Sequence, residues 1–252
     1  LPDLSPASLA RLRLDPTRLW ARCPLRAIRG LAELGVPTGP RGLFGPFDLA
    51  CAARGHDLLA ELLQQPAGAH RLLSLATEAA AWWARQQLAA SPAPQGGTIL
   101  PYFGLWLPWR AAGHVSVDYA VMVSPHLLDQ FVFRYERHFA SQFQAAAYHI
   151  HNVGWHTLAG VCTIERMVLL EVTDDPGVPR TAERYGQLLE CAGQLPLLLY
   201  PTPQEVYDHI DLLAQHNVIL SLTAANLPPD RAEQVARDLI RLVRDRSKPP
   251  AS

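Results

Sequence analysis

Four short apolar runs in the second half of the chain constrain its fold more than any other feature. "AAYHI", "MVLLEV", "LPLLLY" and "NVILSL" follow one another from residue 145 onward, and each leads through a turn into a segment with helical periodicity. The runs are apolar at consecutive positions instead of alternating, which suits strands of a parallel sheet that is covered on both faces or closed into a barrel. The helices between them have readable starts. Ser124-Pro125 opens one, Thr202-Pro203-Gln204-Glu205 has the form of a capping box, and Asp230 precedes "RAEQVARDLIRLVRDR". In that last segment Ala232, Val235, Leu239 and Leu242 form a stripe at helical spacing.

Upstream, "PLRAIRGLAELG" predicts a helix stopped by Gly35, and "VPTGPRGLFGPF" offers one strand among its prolines and glycines. Residues 48–92 read as two helices split at Pro66, and "TILPYFGLWLPW" adds a further apolar segment. The chain thus offers about six strand candidates, whereas a (β/α)8 barrel has eight strands in typically about 250 residues. The expected fold class is therefore α/β, a (β/α)8 TIM barrel lacking about two N-terminal βα units. Residues 1–252 would form one barrel domain, incomplete at the N-terminus, with an unpaired sheet edge and exposed apolar surface.

Composition sets the outer limits. With 49% hydrophobic and 18% charged residues over 252 positions, the chain can bury a single large core. Its 22 Lys+Arg balance 23 Asp+Glu, so there is no overall field to draw in nucleic acid or an anionic membrane, and neither is expected as a partner. Cys23, Cys51, Cys162 and Cys191 show no C-x-x-C spacing, which fits a reducing, cytoplasmic setting. No stretch approaches the roughly 18 apolar residues of a membrane span. "LPDLSPASLA" has neither an initiating Met nor the form of a signal peptide, so the chain is expected to begin inside a longer protein. G-x-S-x-G, P-loop and G-x-G-x-x-G motifs are all absent from the sequence.

The segment "YHIHNVG" carries the most suggestive chemistry. Two residues apart on a strand, His149 and His151 share a face at the strand's end, which suits a metal site, proton transfer or a hydrogen-bonded structural pair. Asp118, ahead of the Ser124 helix, is expected to join them as a third catalytic group. Arg41, Arg110, Asp174 and Tyr148 are assigned to substrate binding, the arginines as partners for carboxylates and Asp174 because it follows a strand's C-terminal end together with Asp175. Trp82, Trp83, Trp106 and Trp109 suit either a planar-ligand pocket or ordinary core.

"GPFDLACAARG" (45–55), "VDYAVMVSPHLLDQFVFRYE" (117–136), the strand ending in "YHIHNVG" and "PPDRAEQVARDLIRLV" together resemble the uroporphyrinogen decarboxylase superfamily, over nearly all of this chain. The resemblance implies a TIM barrel and one of two chemistries. The first is cofactor-independent decarboxylation of a carboxylated, tetrapyrrole-type substrate by a carboxy-lyase, with no metal. The alternative is a zinc-dependent methyltransferase of the corrinoid and thiol type, or a barrel that binds a ligand without turning it over. This chain departs from both enzyme patterns. Asp118 stands where decarboxylases carry Ser, the segment "SLTAANLPP" lacks the His of their C-terminal turn, and the family's Arg-rich segment and principal Asp have no counterpart. Against the zinc enzymes' H-x-C, His149 matches the His but His151 replaces the Cys, and the later region around Ser221 to Asn226 has no Cys. His114, Glu171 and Asp174 are the candidates to supply the remaining ligands of a zinc site. The expected partners are a small-molecule substrate and a second copy of the chain in a homodimer.

Overall fold

The computed structural model describes residues 1–222 and 228–246. Its strands are β1 (Leu43–Phe44), β2 (Thr98–Leu100), β3 (Leu105–Leu107), β4 (Ala111–Ser116), β5 (Ala145–His151), β6 (Met167–Thr173), β7 (Leu197–Leu199) and β8 (Val218–Leu220). Six of them form one parallel sheet in the order β1-β4-β5-β6-β7-β8, while β2 and β3 make a separate antiparallel hairpin. The fold is thus α/β. "MVLLEV" and "LPLLLY" pair in parallel as expected, with Leu170 opposite Leu197 and Glu171 opposite Leu198. Helix Tyr185–Ala192 connects β6 to β7 and helix Pro203–Leu213 connects β7 to β8. The latter opens with the expected capping box between Thr202 and Glu205.

Two upstream expectations need correction. "TILPYFGLWLPW" is the β2–β3 hairpin, turning at Gly104 with φ +65°. The sheet strand that takes its place is β4, "AAGHVS", which sequence reasoning passed over because its side chains are small or polar and its register slips between Ala112 and Val115. Residues 46–90 form three helices, Pro46–Arg54, Asp57–Gln64 and Pro66–Ala90. The additional break falls at Gly55, whose φ of +81° only glycine adopts without strain. The segment compared with the His-bearing family turn falls, for residues 223–227, outside the described residues.

Strand alternation sorts the sheet into two unlike faces. Val115, Tyr148, Ile150, Leu170, Val172 and Leu199 point into the large core built with the helices. Ala111, Ala145, Ala147, Leu169 and Leu198 point the other way and are covered by Leu100 and Leu107 of the hairpin. Among the described residues β1 and β8 are the sheet's edges. There the hairpin-side residues Phe44 and Ile219 are 56% and 36% exposed, against 0% for Leu169 at the centre, so the expected exposed apolar surface lies at both ends. No helix of the described residues is long and apolar enough to cross a membrane.

The "GPF" segment owes its form to a buried acid. Glu136 Oε1 accepts from the backbone N–H of Phe47, in the first turn of helix Pro46–Arg54, at 3.3 Å. A Cβ on Gly45 would stand 2.8 Å from both carboxyl oxygens of Glu136 and 2.6 Å from Ser116 O, so only glycine fits. Complete burial, with the nearby charge of Asp48, pushes the Glu136 carboxyl well above its ordinary 4.5. A carboxyl raised in the folded state stabilises fully below its unfolded pKa, and that contribution is lost as pH climbs through the folded value. Glu136→Gln, which cannot ionise, should therefore gain stability relative to wild type as pH rises above about 4.5. Urea unfolding of both proteins between pH 5 and 9 measures this; a stability difference that does not change with pH would contradict it.

Candidate functional site

The C-terminal ends of β4, β5 and β6 bring the polar residues together. Register places Ser116 opposite His149 and His149 opposite Glu171, while His151 lies opposite Thr173. Period-2 alternation turns all five side chains toward the hairpin side of the sheet.

Each histidine of the pair is held in the same way. His149 Nδ1 hydrogen-bonds Glu171 Oε2, and its Nε2 lies 3.7 Å from Asp118 Oδ1. His151 Nδ1 lies 2.7 Å from Asp175 Oδ1, and its Nε2 lies 3.8 Å from the same Asp118 oxygen. A carboxylate on Nδ1 fixes the proton there and leaves the Nε2 lone pair free, so two lone pairs aim toward one point. Glu171, fully buried, is itself steadied by Thr173 Oγ1 at 2.5 Å and by the Tyr200 hydroxyl. Asp118 Oδ1 is buried and accepts no hydrogen bond. Such an orphan oxygen costs about 1–3 kcal/mol unless something pairs with it.

Asp118 is placed by another acid. Asp48, only 1% exposed, accepts from Ser116 Oγ at 2.7 Å and from the backbone N–H groups of Asp118 and Tyr119, each at 2.9 Å. It thereby fastens the turn after β4 to the helix after β1. Burial raises the Asp48 carboxyl above its usual range despite these donors.

The charges do not balance within the cluster. Burial alone would lower His149, but the hydrogen bond and charge of Glu171 and the charge of Asp118 outweigh it, so its pKa is raised above 6.5. Burial raises Asp118, against the pull of both histidines. His114 packs 4.5 Å from the Tyr102 ring, 4.8 Å from Phe103 and 4.8 Å edge-on from His149. Burial first and His149 second lower it to about 4, so it is a neutral imidazole near pH 7. Three carboxyl groups, Asp118, Glu171 and Asp175, thus surround the imidazoles of His149 and His151.

Of the expected site residues, the structure brings His149, His151 and Asp118 together. Asp174 is off by one position: its carboxylate accepts from Asn152 Nδ2, the Thr181 N–H and Thr181 Oγ1, and pairs with Arg180 at 3.2 Å. It ties the loop, and its neighbour Asp175 reaches the site. Tyr148 faces the helices, fully buried, with its hydroxyl donating to the Glu136 carbonyl at 3.2 Å. Alternation turns it away from His149 and His151, so it cannot bind substrate with them. Arg110 precedes β4, roughly 20 Å from the strand's far end at about 3.3 Å per residue. Its guanidinium is spent on the carbonyls of Leu88, Pro92 and Gly97. Arg41 is exposed, with its backbone N–H on Gln87 Oε1 at 2.7 Å. Neither arginine adds a charge to the cluster.

Among the described residues two sets of possible ligand atoms each lie within 4.8 Å of one another, Asp118 with His149 and His151, and His114 with His149 and Glu171. His149 belongs to both, but its Nδ1 is already bonded to Glu171, so the first set holds the free lone pairs. Beside it opens a cavity of about 670 Å³, to which Trp82 and Trp83 contribute and Trp106 and Trp109 do not. No protein-family model matches the chain, and no curated protein matches it.

Asp48→Ala, which removes the acceptors of both backbone donors, should cost about 1–3 kcal/mol of stability. Hydrogen exchange at the Asp118 and Tyr119 amides should accelerate beyond what that loss explains, and unchanged protection there would show that Asp48 does not hold the turn.

Proposed function

We propose that this chain is part of a uroporphyrinogen decarboxylase-like TIM barrel whose catalytic rim holds zinc on Asp118, His149 and His151 and activates a thiol substrate, as the methyltransferase branch of that superfamily does. The barrel reading is supported by helices packed on one face of a parallel sheet, where a doubly wound sheet carries them on both. The sheet's six strands match the number expected of a barrel that lacks two, and the polar cluster sits at the C-terminal ends of three of them, on the side where such barrels build active sites. A single observation carries the metal reading: the Nε2 atoms of two carboxylate-anchored histidines converge on an orphan carboxylate oxygen. Zinc sites that act on substrates commonly use three protein ligands and keep one position open. Zinc ligands stand about 2.0–2.1 Å from the ion, so closing on it takes only short side-chain movements.

Zinc held there by Asp118, His149 and His151 would supply the Lewis acidity that activates a thiol near neutral pH. The protein's own residues do the rest. Glu171 and Asp175 hold the protons on Nδ1 of His149 and His151, Asp48 sets the position of Asp118, and His114 presents a neutral ring beside them. A cytoplasmic setting and a homodimer remain part of this reading.

The second reading is cofactor-free decarboxylation, favoured by the raised pKa of His149, which makes an imidazolium available to grip a carboxylate or deliver a proton. The positions of Arg41 and Arg110 count against a polycarboxylate substrate.

Protein expressed with zinc and dialysed should retain about one zinc per chain by elemental analysis. Alanine at Asp118, His149 or His151 should abolish retention, Glu171→Gln or Asp175→Asn should weaken affinity by about 10–100-fold, and Asp174→Ala should leave it unchanged. Zinc retained equally by wild type and the three ligand variants, or by none, would remove the metal reading in favour of the decarboxylase.

A further inference from the structure

The cavity beside the cluster speaks to the substrate itself. Its ionisable lining residues are His114, Asp118 and His149, which with Ser116 make up one wall. The rest of the lining is apolar, with Leu43 and Phe44 from β1 and Trp82 and Trp83 from the long helix Pro66–Ala90. The two indoles stack with centroids 6.0 Å apart. Among the described residues no lysine or arginine lines it, and Arg41, next in sequence to the lining residue Gly42, is not among the lining residues. At about 670 Å³ the cavity lies within the range of roughly 300–1,000 Å³ that suits a small organic ligand.

We infer that the site takes a neutral molecule with an aromatic or otherwise apolar body and a single donor head group, and that it rejects polycarboxylates. The donor is a thiol if the zinc reading above holds, on which this part of the inference rests. The body follows from the cavity alone. A molecule with several carboxylates would lose their hydration against indole and alkyl surface with no lysine or arginine among the described lining residues to replace it, and would face the carboxyl group of Asp118. A flat apolar body loses little on entry and gains contact with the stacked indoles. The head group meets His149 and Asp118 on the polar wall.

Equilibrium dialysis of the full chain, zinc-loaded and zinc-free, against 2-naphthalenethiol and mercaptosuccinate tests both parts. The zinc-loaded protein should bind naphthalenethiol at least tenfold more tightly than mercaptosuccinate, and the zinc-free protein should keep that preference with weaker binding. Ala79→Phe, which fills the cavity from its wall, should reduce naphthalenethiol affinity at least tenfold and leave zinc content unchanged; Trp82→Ala provides a second variant that removes contact instead of adding bulk. Equal or tighter binding of mercaptosuccinate to zinc-loaded protein would overturn the inference and spare the zinc reading. Preference for naphthalenethiol in a protein that retains no zinc would do the reverse. Naphthalenethiol affinity untouched by both variants would place the bound molecule elsewhere and overturn the inference.

Discussion

The hydrogen bonds from Glu171 to His149 and from Asp175 to His151 are what the rest of the site depends on. Without them each imidazole could place its proton on either nitrogen and rotate; with them, both hold Nδ1 on a carboxylate and turn Nε2 toward Asp118. The two carboxylates come from different places in the fold. Glu171 lies directly opposite His149 in the sheet, so its position is fixed by strand register. Asp175 lies two residues beyond β6 and depends on Asn152, whose side chain accepts from the Asp175 N–H at 2.9 Å while donating to Asp174. One anchor is thus built into the sheet and the other into a loop clasp.

Behind this polar surface lies a second chain of buried acids that joins the site to the core. Glu136 occupies the start of the helix after β1, Asp48 in the first turn of that helix holds the loop carrying Asp118, and Tyr148 on the far side of β5 donates to Glu136. The strand "YHIH" therefore serves both systems by alternation. Its histidines work on one face while its tyrosine secures the acid that shapes the "GPF" segment on the other. A disturbance at Gly45 would reach the site through packed groups and not through solvent.

Much of this was legible in the sequence, for identifiable reasons. Runs of consecutive apolar residues announced β5 to β8, and the spacing of His149 and His151 announced a shared face. β4 stayed hidden because "AAGHVS" lacks bulky apolar residues, and the hairpin "TILPYFGLWLPW" has them in excess. Glu171 could have been weighted more heavily: in "MVLLEV" it shares a face with Leu169, and a carboxylate in the middle of a buried strand needs a partner. Asp175 and Asp174 could not be told apart, because which of two adjacent acids turns inward is decided by the Asn152 clasp. The arginines misled because sequence gives their charge but not the carbonyl groups that already occupy Arg110.

The central claim is that His149, His151 and Asp118 form one ion-binding point with Glu171 and Asp175 as outer supports. Anomalous scattering at the zinc absorption edge from crystals of the zinc-loaded chain addresses it directly. A single strong peak about 2.0–2.1 Å from His149 Nε2, His151 Nε2 and an Asp118 oxygen, with both Nδ1 atoms still on their carboxylates, is the expected result. A peak on His114 and Glu171 instead, or none at the cluster, would contradict it.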